Sequence, residues 1–105
     1  MSDDDNVFIH DRVADVDVLR VFGEVDISST DKLEAAMRAA ARPDARLVVD
    51  LQPCTFIDSS ILTALIRAEK ALRGRFGIML PEDGPVHRIF AITSLLQHFP
   101  IVAAM

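Results

Sequence analysis

The densest chemistry in this chain of 105 residues is the triplet Asp58-Ser59-Ser60, one carboxylate and two hydroxyls in consecutive positions where a helix-forming segment begins. Two uses of such a triplet compete. In the first, Asp58 or Ser59 caps the helix by accepting a hydrogen bond from an orphan amide of its first turn, which contributes about 1 kcal/mol. Capping accounts for one of the three residues and leaves two hydroxyls over. In the second, one serine accepts a phosphoryl group. A phosphate at that place meets free amides and the positive end of the helix dipole. It also adds about −1.5 to −2 charge beside Asp58, enough to repel an acidic partner or break a desolvated contact.

Other reactive residue types point to structure. A serine nucleophile of the hydrolase kind needs a Gly-x-Ser-x-Gly turn and a base, and neither is evident around Ser59 or Ser60. His10, His87 and His98 lie far apart with no pairing at helical spacing, so each reads as a surface or half-buried structural residue. Cys54 is the single cysteine, which rules out an internal disulfide and a thiolate metal cluster; it reads as a small buried hydrophobe. Glu82-Asp83 reads as a solvated turn. No catalytic group, metal site or cofactor is expected.

The triplet needs elements to hold it. Residues 7–10 and 16–22 read as two strands, with residues 11–15 as the connection of a hairpin and Gly23 breaking the second strand. Ser28-Ser29-Thr30-Asp31 is a run of helix-start residues, followed by apolar positions on helical spacing over residues 32–42, until Pro43-Asp44 stops them. Residues 46–51 form a nearly continuous apolar run of strand length, as in a strand buried on both faces of a parallel sheet. Residues 55–57 are extended and lead into the triplet, whose helix runs to about Arg73 and ends at Gly74, with Thr63, Arg67 and Lys70 on its wet stripe. Residues 76–80 give another strand, Pro85 opens a helix to about Ile92, and residues 100–102 offer a short edge strand. Strand and helix alternating in this order imply right-handed crossovers and a largely parallel sheet.

Composition narrows the class. Half of the chain is apolar, with no Trp or Tyr, which suits an aliphatic core between a sheet and helices. A formal net charge of −5 argues against nucleic acid or an anionic membrane surface as partner. No apolar stretch reaches the roughly 18 residues of a bilayer span. The start Met1-Ser2-Asp3-Asp4-Asp5-Asn6 is acidic where a secretory signal is basic and then apolar. Residues 1–6 are therefore expected to be an acidic, flexible leader and residues 7–105 one domain, cytoplasmic and compatible with a monomer.

Four pieces in order carry a resemblance: Gly23-Glu24-Val25-Asp26, then Val48-Val49-Asp50-Leu51, then Phe56-Ile57-Asp58-Ser59-Ser60, then the stretch from Val86 to Leu95 with Phe99-Pro100-Ile101 after it. Together they resemble the STAS domain of anti-sigma factor antagonists over nearly the whole chain after the acidic start. The fold this implies is α/β, a four- or five-stranded mixed, largely parallel sheet with helices mainly on one face. The function it implies is a non-enzymatic binding module. Unphosphorylated antagonist binds an anti-sigma factor that is also a serine kinase, which frees a sigma factor; phosphorylation ends the complex, and a metal-dependent serine phosphatase restores it. The resemblance maps the phosphate acceptor to Ser59 and a neighbouring turn residue to Asp26, with Asp58 orienting the loop and Ser60, Ile61 and Leu62 in the partner contact. The chain departs from the family pattern at Ile61 and Ser94, where Gly is usual. Ile61 either packs inward or narrows the range of partners, and Ser94 concerns a helix end. The same fold also serves as a constitutive subunit of larger assemblies, such as lipid-transport ATPase complexes and stress-sensing scaffolds, which is the alternative.

Overall fold

The longest strand organises the rest. In the computed structural model, which describes the backbone of residues 6–102 and the side chains of residues 8–102, β2 (Val16–Val25) pairs antiparallel with β1 (Asn6–Val13). Along its other edge β2 pairs in parallel first with β3 (Arg46–Asp50) and then, beyond the end of β3, with β4 (Cys54–Ile57). A last parallel strand, β5 (Phe76–Met79), joins the outer side of β3. The result is a five-stranded mixed, mostly parallel sheet with path β1-β2-β3-β5. Residues 1–5 of the expected leader lie outside the described residues; Asn6 opens β1, opposite Gly23.

Three helices complete the domain: α1 (Thr30–Ala40), α2 (Ser59–Leu72) and α3 (Gly84–Ile92). Every helix residue that is buried, from Leu33 and Met37 on α1 to Val86 and Phe90 on α3, belongs to one apolar cluster with Leu19, Val21, Leu47, Val49, Phe76 and Ile78 of the sheet. The helices therefore share one face, and the core lies between it and them. β3 is buried from Leu47 to Asp50, as its unbroken apolar run requires. Phe99 closes the core's end, with ring centroids 6.2 Å from Phe76 and 5.9 Å from Phe90.

The tail adds a bridge to the sheet's edge. Ile78 donates its amide to the Pro100 carbonyl at 2.9 Å, and Val102 donates to the Ile78 carbonyl at 2.8 Å. Gly77 makes this possible, because a Cβ there would stand 2.7 Å from a methyl of Val102. Ser94, at the end of α3, adopts φ 61°, the left-handed conformation in which Gly is easier to place than Ser.

Three local expectations need correcting. The hairpin connection is only Ala14-Asp15, because Asp11, Arg12 and Val13 keep ladder partners in β2. Gly23 does not break β2. It takes φ 83° at a shift of register between β2 and β4, so the glycine serves a bulge and the strand runs on to Val25. The first helix also lies two residues earlier than expected; Ala41 is already extended, and Arg42 precedes Pro43, where the α conformation is disfavoured.

One polar cluster is locked into the end of the domain away from the triplet. Asp17, with its side chain fully buried, accepts from Arg42 Nε at 2.6 Å and Arg12 Nε at 3.2 Å and lies 2.9 Å from His10 Nε2. Burial alone would raise its carboxyl, but the hydrogen bonds from Arg42, His10 and Arg12 outweigh it and hold the group at about 2. The cluster ties the hairpin to the segment that follows α1.

Candidate functional site

The site begins with register. Val25, the last residue of β2, pairs with Ile57, the last residue of β4, and both are buried. The chain leaves the sheet at these two neighbouring points, so Asp26 and Asp58 are the first residues past adjacent strand ends. Each opens a turn of the same sequence form, Asp-x-Ser, and each closes it in the same way. The Oδ1 of Asp26 accepts from the Ser28 amide at 3.0 Å and the Ser28 hydroxyl at 2.6 Å. The Oδ1 of Asp58 accepts from the Ser60 amide at 3.0 Å and the Ser60 hydroxyl at 2.5 Å. The first turn continues into a single 3-10 turn over Ile27–Ser29 and then α1, the second directly into α2.

Two bonds join the turns. Ile27 donates its backbone N–H to Oδ2 of Asp58 at 3.0 Å, and the Thr30 hydroxyl donates to Ser60 Oγ at 3.2 Å. Asp58 is thus the N-cap of α2 and a clasp on the start of α1 at once. Burial alone would raise its carboxyl, but bonds from the Ser60 hydroxyl and amide and from the Ile27 and Ile61 amides outweigh that and hold it below its ordinary value. It is a carboxylate at neutral pH.

This geometry separates the two serines. Ser60 is half-buried with its hydroxyl committed to Asp58 and Thr30. Ser59 is exposed at the first position of α2, and its hydroxyl makes no hydrogen bond among the described residues; only its carbonyl is engaged, by Thr63. Capping therefore accounts for Asp58 and Ser60 and leaves Ser59 unused by the structure. Among the described residues no imidazole or amine bonds to it. It is a hydroxyl presented on a carboxylate-flanked surface, at the dipole end that favours an added anion.

Two residues assigned to the contact lie elsewhere. Ile61 is 0 % and Leu62 5 % exposed, and both belong to the core cluster. Neither reaches a partner without displacing α2, so Ile61 follows the inward alternative. The helical stripe Ile61, Leu62, Leu65, opposite Thr63, Arg67 and Lys70, already carried that signal. The most exposed large apolar residue at the site is Ile27, at 75 % against 45 % for Phe56 of β4, and the sequence pattern had not singled it out. Its signal was the repeat of Asp-x-Ser at 26–28 and 58–60, which gives Ile27 and Ser59 the same middle position.

Cys54 is buried at the start of β4; its Sγ lies 3.4 Å from the Phe56 carbonyl, and burial pushes the thiol up, away from reactivity. The histidines serve structure: His10 on Asp17, His87 with Nδ1 2.9 Å from the Pro81 carbonyl, His98 edge-on to Phe99. Among the described residues no group of three His, Cys, Asp or Glu is placed to hold a metal, and no helix is long and apolar enough to cross a membrane.

Comparison with known proteins agrees with the architecture. Residues 10–100 match the family described as Mlab, STAS domain. An anti-sigma factor antagonist from Mycobacterium paratuberculosis is similar in structure at TM-score 0.85 with 27 % identity, over 99 % of this chain and 91 % of that one. SpoIIAA, an anti-sigma factor antagonist, in its unphosphorylated form superposes at TM-score 0.71 with 21 % identity, over 92 % and 89 % of the two chains. The Bacillus cell-fate determinant SpoIIAA in the phosphorylated form does so at TM-score 0.64 with 19 % identity, over 92 % of each. No curated protein matches the chain.

Proposed function

This chain belongs to the STAS-domain family, and from that premise we propose that it is an anti-sigma factor antagonist whose binding is switched by phosphorylation of Ser59. The observation that carries the reading is the division of labour at the α2 start: Asp58 and Ser60 satisfy the cap, and the Ser59 hydroxyl stands exposed and unbonded. The fold likeness to antagonists, one of them solved with and without its phosphate, supports it.

In this reading the unmodified turn docks on an anti-sigma factor that is also a serine kinase, in the cytoplasm, and frees a sigma factor. The kinase then transfers the γ-phosphoryl group of ATP: Ser59 Oγ bonds to phosphorus, the bond to the leaving ADP breaks, and a base on the kinase takes the hydroxyl proton. The product sets about −1.5 to −2 charge one residue from the Asp58 carboxylate and near Asp26, inside a contact that binding had desolvated, so the complex dissociates. A metal-dependent serine phosphatase hydrolyses the phosphoserine and restores the binder. The chain itself acts as substrate and ligand, with no catalysis of its own.

The test is intact mass and site mapping of the protein from its native cells, alongside Ser59→Ala and Ser60→Ala. One phosphate on Ser59, lost in the first variant and kept in the second, is the expected result. Phosphorylation of Ser59→Ala to the wild-type extent overturns the assignment. A protein unmodified under every condition favours the second reading, which the match to the Mlab-described family supports: a constitutive STAS subunit of a larger assembly.

A further inference from the structure

We infer that Ile27 is the apolar anchor of the contact centred on Ser59, and that the partner offers an apolar socket rimmed by Lys or Arg side chains. The inference rests on the proposed role of Ser59 for the partner's identity, and on the geometry alone for the anchor. Ile27 exposes 75 % of its surface, an unfavourable state for a large aliphatic side chain in water. The backbone that carries it is nonetheless fixed. Ser28 and Ser29 close the turn around it with bonds to Asp26, and the Ile27 amide is held by Asp58 at 3.0 Å. An exposed isoleucine on a bonded turn loses little backbone freedom on binding, which is how compact anchor residues gain affinity.

Its position is set by the pairing that builds the site. The twin Asp-x-Ser turns leave adjacent strand ends, and each presents its middle residue outward: Ile27 from one, Ser59 from the other. The Asp58 carboxylate touches both turns, so a surface that buries Ile27 also covers Ser59. The turns themselves carry carboxylates and no cation. Asp26 and Asp58 hold the two turns and Asp31 stands in the first turn of α1, while residues 21–31 and 52–66 contain no Lys or Arg and the first cation after Ile27 is Lys32. A complementary partner therefore sets cations around the socket that takes Ile27. The same arrangement explains release: once Ile27 is seated and water excluded, a phosphate on Ser59 is forced into a desolvated, carboxylate-rich contact.

The experiment uses the full chain as bait at physiological salt. The protein retained by Ser59→Ala from native cells is purified, and its affinity for wild type, Ile27→Ala, Ile27→Leu and Ile27→Asp is measured by calorimetry. Phosphorylation of Ser59 by that partner with ATP is followed in parallel. Ile27→Ala is expected to weaken binding about tenfold or more, Ile27→Asp to abolish it and Ile27→Leu to retain it, all with unchanged thermal melts and with affinity falling as salt rises. Wild-type affinity in Ile27→Ala overturns the anchor while leaving the switch intact if Ser59 is phosphorylated. Lost affinity in Ile27→Ala with no phosphorylation of Ser59 supports the anchor and overturns the switch. Absence of any partner for the wild type overturns both.

Discussion

Replacing Asp58 with Ala removes one side chain and two functions together, and the cost follows from the bonds it makes. The cap to the Ser60 amide contributes about 1 kcal/mol. The bond to the Ile27 amide, which lies on the exposed side where water substitutes for it, adds about 0.5–1 kcal/mol. Loss of both is about 1.5–2 kcal/mol, which lowers Tm by roughly 6–15 °C in a domain of this size. Asp58→Asn caps as well as Asp, so it should lose less than half of this at pH 7. The pH dependence has a definite sign. The folded carboxyl lies below its ordinary 3.8, so its stabilising contribution is full above that value and is lost as pH falls through the lower, folded one. The gap between wild type and Asp58→Ala should therefore narrow in acid. Thermal and urea melts followed by circular dichroism at pH 7 and in the acid range read it directly, and hydrogen exchange at the Ile27 amide should quicken in Asp58→Ala. Equal melts at pH 7, or a gap that widens towards acid, would refute the clasp.

Two more consequences concern the scaffold. Asp17→Asn, in the cluster with His10, Arg12 and Arg42, should destabilise by about 2 kcal/mol, less than a fully buried pair because its cationic partners are partly exposed. Since Asp17 is held at about 2, its contribution is present above 3.8 and disappears as pH falls towards 2, so urea melts of wild type and Asp17→Asn should converge there. Gly77→Ala should push Val102 off the sheet edge at a cost of about 1 kcal/mol, seen as faster exchange of the Ile78 and Val102 amides with the Ser59 turn unaffected; unchanged exchange would show that the tail does not depend on this glycine.

Much of this protein was legible in its residues because the signals are local. The apolar run at 46–51 is a buried central strand because a strand between two neighbours needs no polar face. Gly74 follows the helix from Ser59 because the chain reverses there with positive φ, at Arg73 and again at Gly74. The triplet at 58–60 opens that helix because its first amides need an acceptor. Local pattern alone misjudged Gly23, where a breaker in isolation becomes a bulge once β4 supplies a ladder partner.

Tertiary structure decided everything that depends on which elements lie side by side. The phase of α2 against the sheet put Ile61 and Leu62 into the core and Ser59 into water. The register of Val25 on Ile57 set two Asp-x-Ser turns 32 residues apart in sequence at neighbouring strand ends, where one carboxylate serves both. Residue type and spacing state what each group is able to bond; only the packed sheet states which groups come within bond length, because that distance is the sum of many contacts and belongs to no single residue.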